Sequence, residues 1–484
     1  MVGQNSGIQV EEGGMSLDNG SINGPAYTRG LNAQYDAWSS LLETSEPGVG
    51  WNWQGVWNYM KKYLSSETLS APHSQQAAKG AQSFASYHGF SGPVQVTYPD
   101  LMYGRPRQTA FVDTIVGLTG INHSKDLNGG TPNYVSITPL TINWHDSDHR
   151  SSSATAYLTP VEAQCTNWLT LTTYLVLTKI TWIAGSVPLM ASGIEFSPAS
   201  GGSTRYTASA RREVIVATGA IQTPALLQHS GIGDSNILGP LGINTLLDLK
   251  TVRRNLQEQT MSTLGGSGSS DAIAFPNLYQ LFGSQGNATA ARIQSSIATW
   301  AASQATSGLS AEALQQIFQV QANFITNNNA PIAEITLGIL LWNLLPFSRG
   351  TVHISVDYFS VYVDLDIQVA AARLTRKMLS TAPFGQVPDN ADRGSDADWQ
   401  SWIQSSFNSV AHPIGTAAMM KPSLGSVVDS KLKVYDTANV RVVDASVLPL
   451  QVSAHLSATL YGVAEKAADL IKASHQNGTI PRCI

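Results

Sequence analysis

Residues 213–233 read EVIVATGAIQTPALLQHSGIG, and the fold turns on how this stretch is understood. Val214 to Ala217 is an apolar strand that runs into a tight turn at Gly219. Pro224 then opens a helix, which Gly231 closes. A glycine at the carboxyl end of a strand lets the backbone approach a ligand closely, as in nucleotide-binding α/β units. The same grammar also describes an ordinary strand–turn–helix, so the rest of the chain has to decide.

Working outward, 169–184, 190–197 and 212–218 read as strands, the first two as part of a meander. GTVHISV at 350–356 and GPVQVTY at 92–98 also read as strands. The stretch from 288 to about 322, residues 364–380 and the run ending GWNWQGVWNYMKKY read as helices, and Ser151 to Leu158 as a helix entry. Leu127 to Arg150 is rich in glycine and proline and reads as loop. The carboxyl end is the clearest unit: a buried strand, Val440 to Val443, ends at Asp444. A helix from about Ser453 to Lys472 follows, with Leu456, Leu460, Val463, Ala467 and Leu470 on one apolar stripe.

Composition narrows the function. Of 484 residues 43% are hydrophobic, enough for a sizeable core, and 13% are charged, well below the average for a soluble protein. A net charge of −5 argues against a basic nucleic-acid surface. No membrane span is expected, because the most apolar long stretch, Leu169 to Ala191, carries Lys179 and Pro188. The polar start MVGQNSGIQVEEGG does not read as a signal peptide. Yet the acceptor tripeptides at Asn122, Asn287 and Asn477, with the low charge, fit a secreted or vesicular surface if a leader precedes this sequence. The two cysteines make neither a disulfide framework nor a zinc cluster. Among catalytic motifs, G-x-x-x-x-G-K-S/T, G-x-S-x-G, H-E-x-x-H and an intact G-x-G-x-x-G after a strand are all missing. His145-Asp-Ser-Asp-His149 has metal-like spacing but reads as a solvated loop, and no metal is assigned.

Gly219 to Gly233 resembles, position by position, the second signature of the glucose-methanol-choline flavin oxidoreductases. SINGPAYTRG at 21–30, GWNW at 50–53, RSSSATAYL at 150–158, NLQEQ at 255–259, PFSRG at 346–350, HPIGT at 412–416 and VVDAS at 442–446 resemble further family blocks, in order. The resemblance implies a composite fold, α/β plus α+β. An FAD-binding sheet domain would be assembled from 1–60, 151–258 and 425–484. A substrate domain, an antiparallel sheet with helices, would come from 61–150 and 259–424. It implies FAD as cofactor, a small-molecule alcohol as substrate, and oxygen or another electron acceptor. Nothing indicates a nucleic-acid or protein partner, and the oligomeric state is open.

The same resemblance implies the site. His412 and His455 match the two histidines that face the reactive flavin nitrogen, with His412 as general base. Imidazole suits that task near neutral pH. Singly, each would read as a satisfied core residue; their motifs reverse that. His455 also stands in the first turn of the last helix, where the dipole disfavours imidazolium. Asn23 and Gly24 are expected near the isoalloxazine, and Leu456 and Ser457 beside its pyrimidine. Gly219, Asp444 and Ala445 are expected by the pyrophosphate or ribityl chain, and Val176 or Leu177 at the adenine.

Three departures stand out. The G-x-G-x-x-G unit that opens family members is absent, so this 484-residue chain is expected to bind FAD poorly. Leu17-Asp-Asn-Gly20 replaces the glycines before the flavin loop. Arg253 replaces a usual glycine, and the segment after His353 is short. The leading expectation is alcohol oxidation as a tailoring step on a fungal secondary metabolite. The alternatives are a redox-silent cyclase on the same fold and an inactive product of a shortened gene model.

Overall fold

The computed structural model of the chain describes residues 23–61, 67–69, 74–99, 102, 107–165, 176–198, 200, 202–264, 272–337, 340–352, 358–385 and 393–475. Positions 169–175, the start of the flavin loop and Asn477 lie outside these residues.

Seven helices matter for the site: α1 (Asn32–Ser40), α2 (Trp53–Lys61), α3 (Gly219–His229), α4 (Gly286–Gln304), α5 (Ala311–Thr326), α6 (Tyr362–Ser380) and α7 (Leu456–Ser474). The strands, in chain order, are β1 (Val135–Ile137), β2 (Val176–Trp182), β3 (Ala191–Ser197), β4 (Tyr206–Ser209), β5 (Val214–Val216), β6 (Thr260–Thr263), β7 (Ala272–Ala274), β8 (Ala333–Thr336), β9 (Leu340–Asn343), β10 (Asn408–Ser409) and β11 (Val440–Val442).

Two systems of sheet carry the molecule. In the first, β5 and β11 pair in parallel, Val214 opposite Val440 and Val216 opposite Val442, next to the antiparallel meander β2–β3–β4. Parallel strands need both faces covered, and here α3 and α7 supply apolar cover. Trp38, Trp51, Val216, Leu227, Val442 and Val463 pack into one core. The second system is a six-stranded antiparallel sheet in the order β10-β6-β9-β8-β7-β1. Its outer face is covered by α6, where the buried Gln368 amide donates to Ser262 Oγ at 2.9 Å. Phe275, Ile317, Phe318, Phe347 and Trp399 fill the core it shares with α4 and α5.

The register of the six-stranded sheet aligns Asn408, Met261, Trp342 and Glu334 directly across β10, β6, β9 and β8. Cross-strand partners share a face, so these four side chains form one row on the face away from α6.

The structure corrects four expectations. The helix after β5 begins at Gly219, so Pro224 lies inside it instead of opening it. The 127–150 stretch is not wholly loop. Val135–Ile137 is a buried edge strand paired with β7, and Ile142–Asn143 pairs with His149–Arg150. The expected strand at 350–356 is absent from its described part. Gly350 exchanges two backbone bonds with Leu256, and the chain then turns back so that Val352 N donates to Arg253 O. Arg253 and Asn255 both hold positive φ, at 78° and 59°, so the partner segment cannot be a regular strand. The position of the expected glycine thus keeps a glycine-like backbone although arginine occupies it. Finally, α7 begins at Leu456 rather than Ser453, and His455 is its extended N-cap with φ −70° and ψ 141°.

Candidate active site

His412 lies just after β10, in a turn that depends on Gly415. Gly415 has φ 87°, and a Cβ there would stand 2.6 Å from Asn255 O, so the turn can sit flush on the Asn255–Gln259 segment only with glycine. That segment holds the histidine. Glu258 Oε1 accepts from His412 N at 2.9 Å, and His412 Nδ1 meets Gln259 Oε1 at 2.8 Å. Gln451 Nε2 donates to His412 O at 2.9 Å. His455 reaches the same place from the start of α7. Thr28 Oγ1 accepts from its backbone N–H and also meets its Nδ1, both at 2.9 Å. The two imidazoles stand at right angles, 6.1 Å between ring centroids.

Trp342 joins them. Its indole packs edge-on to His412 at 5.7 Å and to His455 at 5.0 Å. The face of the sheet that carries Asn408, Met261, Trp342 and Glu334 therefore looks onto the histidine pair. Glu334 is fully buried, and its Oε1 lies 3.5 Å from His455 Nε2, too long for a good hydrogen bond. Both Glu334 oxygens and Trp342 Nε1 are buried and have no hydrogen-bond partner among the described residues. Buried polar atoms are rarely left so, and three of them on one face beside two histidines describe a place shaped for a polar ligand group.

The electrostatics are those of a dry site. Burial pushes the Glu334 carboxyl well above the usual carboxylate range and Glu258 up to about 8, so Glu258 is mainly the neutral acid at pH 7. Loss of solvation lowers His412 to about 4. The same effect, with His412 alongside, lowers His455 to about 3. Both imidazoles are therefore free bases at neutral pH, and each can take up a proton.

The predicted cofactor residues fall into three groups. Asn23 Nδ2 donates to Ser457 Oγ at 3.1 Å, and Arg150 clamps Asn23 through its Oδ1 (2.9 Å) and backbone O (2.6 Å). Asn23, Gly24, Leu456 and Ser457 thus gather at the first turn of α7, next to His455. The second group is Gly219, Asp444 and Ala445. Asp444 Oδ2 accepts from Gly219 N and Thr223 Oγ1, and Oδ1 from Ser446 N and Oγ. The aspartate that ends β11 pins the start of α3 and leaves no carboxylate oxygen unused. Val176 and Leu177 open β2, their backbones opposite Ser197 and Phe196, and join neither group by a hydrogen bond among the described residues. His145 and His149 lie on an exposed turn, His149 Nδ1 3.3 Å from Asp146.

Sequence reasoning missed Glu334 and Trp342 and gave no role to Thr28, Glu258, Gln259 or Arg150. Glu334 had one legible signal: a carboxylate inside the apolar run API-A-E-I-T-L needs an explanation. Trp342 had none, because only the β8–β9 register brings it to the histidines.

Residues 13–261 and 346–464 match the N-terminal and C-terminal profiles described as GMC oxidoreductase. The chain belongs to the GMC oxidoreductase family. This GMC oxidoreductase is 38% identical to the glucose oxidase-like protein fsoC of Humicola fuscoatra, over 93% of the chain and 81% of that protein. It is 32% identical to a glucose oxidase of Aspergillus carbonarius, over 94% and 78%. In structure it is similar to a fungal aryl-alcohol oxidase, with a TM-score of 0.81 at 26% identity over 94% of this chain and 84% of that one. An FAD-dependent oxidoreductase from Chaetomium thermophilum matches equally, at 0.81 and 26% over 94% and 85%. The chain is an FAD-dependent alcohol oxidoreductase.

The residues present fit the cofactor. Gly24 is exposed with nothing within 4 Å of where a Cβ would stand, and Gly219, at φ 78°, is equally open. The first turn of α7 offers amide N–H groups that lack intrahelical acceptors, at the positive end of the helix dipole. An electron-rich ring edge belongs there.

Proposed function

We propose that this enzyme oxidises an alcohol carried on an apolar body, with His412 as general base, as a tailoring step on a secondary metabolite. The observation that carries the substrate class is the wall facing the histidines. Met261 lies across from Trp342, Leu340 two residues along β9 from it, and Val410 two residues on from Asn408. Asn408, exposed, is the amide side chain of that row, at its outer end. A sugar offers hydroxyls on every side, and each one buried against Met261, Val410 or Leu340 would go unpaired at a cost of about 1–3 kcal/mol. An aromatic or polyene body would find matched contacts, with polar groups kept for the reacting carbinol.

In this reading Asn23, Gly24, Leu456 and Ser457 would hold the isoalloxazine, Gly219, Asp444 and Ala445 the pyrophosphate or ribityl chain, and Val176 or Leu177 the adenine. When bound, FAD supplies the acceptor for a hydride and its two electrons. His412 takes the hydroxyl proton at Nε2. Glu334 and Trp342 offer hydrogen bonds that fix the carbinol between the two rings. The segments 1–60, 151–258 and 425–484 serve the cofactor, and 61–150 and 259–424 the substrate. The two-electron acceptor that completes the cycle is oxygen or a soluble oxidant.

A secreted or vesicular location belongs to the same reading. Cys165 is disulfide-bonded, which fits an oxidising compartment, and the acceptor asparagines Asn122 and Asn287 are exposed. Among the described residues no helix is long and apolar enough to cross a membrane.

The test is anaerobic mixing of FAD-loaded protein with a panel of benzylic and allylic alcohols and with glucose. Bleaching of the flavin band by the apolar alcohols, with products lighter by two hydrogens, is expected. Faster bleaching by glucose would reject the substrate class. A product isomeric with its substrate, without bleaching, would mark ring closure instead of oxidation.

A further inference from the structure

We propose that Gln259 and Thr28 are positioning residues that lock the two histidines in opposite tautomers, so that His412 presents a bare Nε2 and His455 presents Nε2–H. The inference rests on the oxidase reading above and assigns each ring a separate task within it.

Gln259 is fully buried at the mouth of β6. Its Nε2 donates to Leu344 O at 2.9 Å and to Val452 O at 3.4 Å. Rotating the amide by half a turn would set its oxygen against two carbonyl oxygens, so the orientation is fixed by the backbone of two separate segments. The oxygen end therefore faces His412 Nδ1 at 2.8 Å. A carboxamide oxygen only accepts, so Nδ1 carries the hydrogen. A neutral imidazole has one N–H, which leaves His412 Nε2 with its lone pair free.

Thr28 reverses the logic. It is fully buried, and its Oγ1 already accepts from His455 N–H. A hydroxyl has one hydrogen to give. Among the described residues the one acceptor that Thr28 Oγ1 meets is His455 Nδ1, at 2.9 Å. The hydroxyl donates there, Nδ1 is the acceptor, and the imidazole hydrogen stands on Nε2. That nitrogen lies 3.5 Å from Glu334 Oε1 without a hydrogen bond between them, which leaves its hydrogen available to a ligand oxygen. The assignment has meaning because both rings are neutral: each is held far below its ordinary value by loss of solvation.

The carbinol oxygen then meets one acceptor and one donor. Its O–H bond breaks toward His412 Nε2, which becomes imidazolium while Nδ1–H stays on Gln259. FAD, when bound, would supply the acceptor for the hydride that leaves the carbinol carbon as the C=O bond forms. His455 Nε2–H stabilises the negative charge on oxygen as it develops and transfers no proton.

The experiment is 15N NMR of the ring nitrogens in 15N-histidine-labelled, FAD-loaded protein at pH 7, with His412→Gln and His455→Gln spectra for assignment. Expected are one ring protonated at Nδ1 (His412) and one at Nε2 (His455). The same tautomer in both rings, or the reverse pair, would overturn the proposal. Thr28→Val removes the hydroxyl while keeping the shape. It should shift the His455 pattern toward Nδ1–H and slow single-turnover flavin bleaching about tenfold to a hundredfold. Thr28→Ser should restore both. Equal loss in Thr28→Val and Thr28→Ser, with the His455 signal unmoved, would make Thr28 merely structural and reject the lock. If the wild-type signals agree but no alcohol bleaches the flavin, the oxidase reading fails while the tautomers stand; bleaching with identical tautomers fails this inference alone.

Discussion

At the scale of single residues, two neutral imidazoles stand at right angles with an indole and a buried carboxyl beside them. His412 and His455 sit in sequence blocks, HPIGT and the start of the last helix, that suggest the pair from sequence. Glu334 and Trp342 are eight positions apart in an apolar run, and only strand register turns them toward the same point. Thr28 and Gln259 act through one hydrogen bond each to a ring, which no spacing rule encodes. His412→Ala should slow flavin bleaching by about 10²–10⁴-fold with the oxidised flavin spectrum kept, since the base acts on substrate. His455→Ala should cost a comparable or smaller factor, and His145→Ala almost nothing; stopped-flow absorbance reads all three. An abolished turnover in His145→Ala with His412→Ala intact would move the site to the exposed turn.

Acidity is a second residue-scale consequence. His412 is held down at about 4 in the folded protein, against an ordinary value of 6.5. The base stays unprotonated as pH falls through 6.5 and is lost only as it passes about 4. The acid limb of the bleaching rate constant should therefore lie near pH 4 to 5, and a limb at 6.5 would show the ring to be solvated. On stability the histidine and the buried acids pull in opposite directions: between about 4 and 6.5 His412 makes stability rise with pH, while Glu258, held up to about 8 from 4.5, makes it fall from about 4.5 upward. Urea midpoints at pH 5 and 7 should therefore differ between the wild type and His412→Gln by the histidine's share, the wild type gaining more on going to pH 7.

At the scale of elements, segments with their own apolar pattern were legible, while helix starts and a strand formed only by its partner were not. The strand Val214–Val216 and the helix end before Gly231 stand where the apolar run and the closing glycine put them, but the helix begins at Gly219, five residues ahead of Pro224, which lies inside it. The edge strand Val135–Ile137 is three residues long and takes its form from β7, a partner more than a hundred residues away. The family block PFSRG likewise had no visible purpose. In the structure Arg349 is a buried clamp, donating to Asn255 Oδ1 at 3.0 Å, Gln321 Oε1 at 2.8 Å and Pro346 O at 2.8 Å, with its guanidinium over Phe318. It ties α5 to the segment that positions His412. Lysine cannot reproduce that planar fork, so Arg349→Lys should lower unfolding stability by about 3 kcal/mol in urea titration, with the turnover of the remaining folded enzyme reduced by less.

At the scale of the molecule, a six-stranded antiparallel sheet beside a parallel pair matches the composite α/β plus α+β fold that the order of motifs implied. What order alone could not supply was which face of the six-stranded sheet looks inward, since a two-residue periodicity fits either side until α6 covers one of them. The disulfide at Cys165 is a covalent restraint of the kind that typically contributes about 2–4 kcal/mol. Reduction, or Cys165→Ser, should lower the thermal midpoint without altering the flavin band of protein that stays folded. An unchanged midpoint on differential scanning would show the bridge to be dispensable.

The Thr28–His455 contact joins residues 427 positions apart, and this has a consequence for how the enzyme is made. Thr28 leaves the ribosome 427 residues ahead of the imidazole it holds. Until α7 is released no nascent chain can close the histidine pair, and the helix turn that meets Asn23 through Ser457 is missing as well. Assembly of this site is therefore one of the last events in the synthesis of the chain.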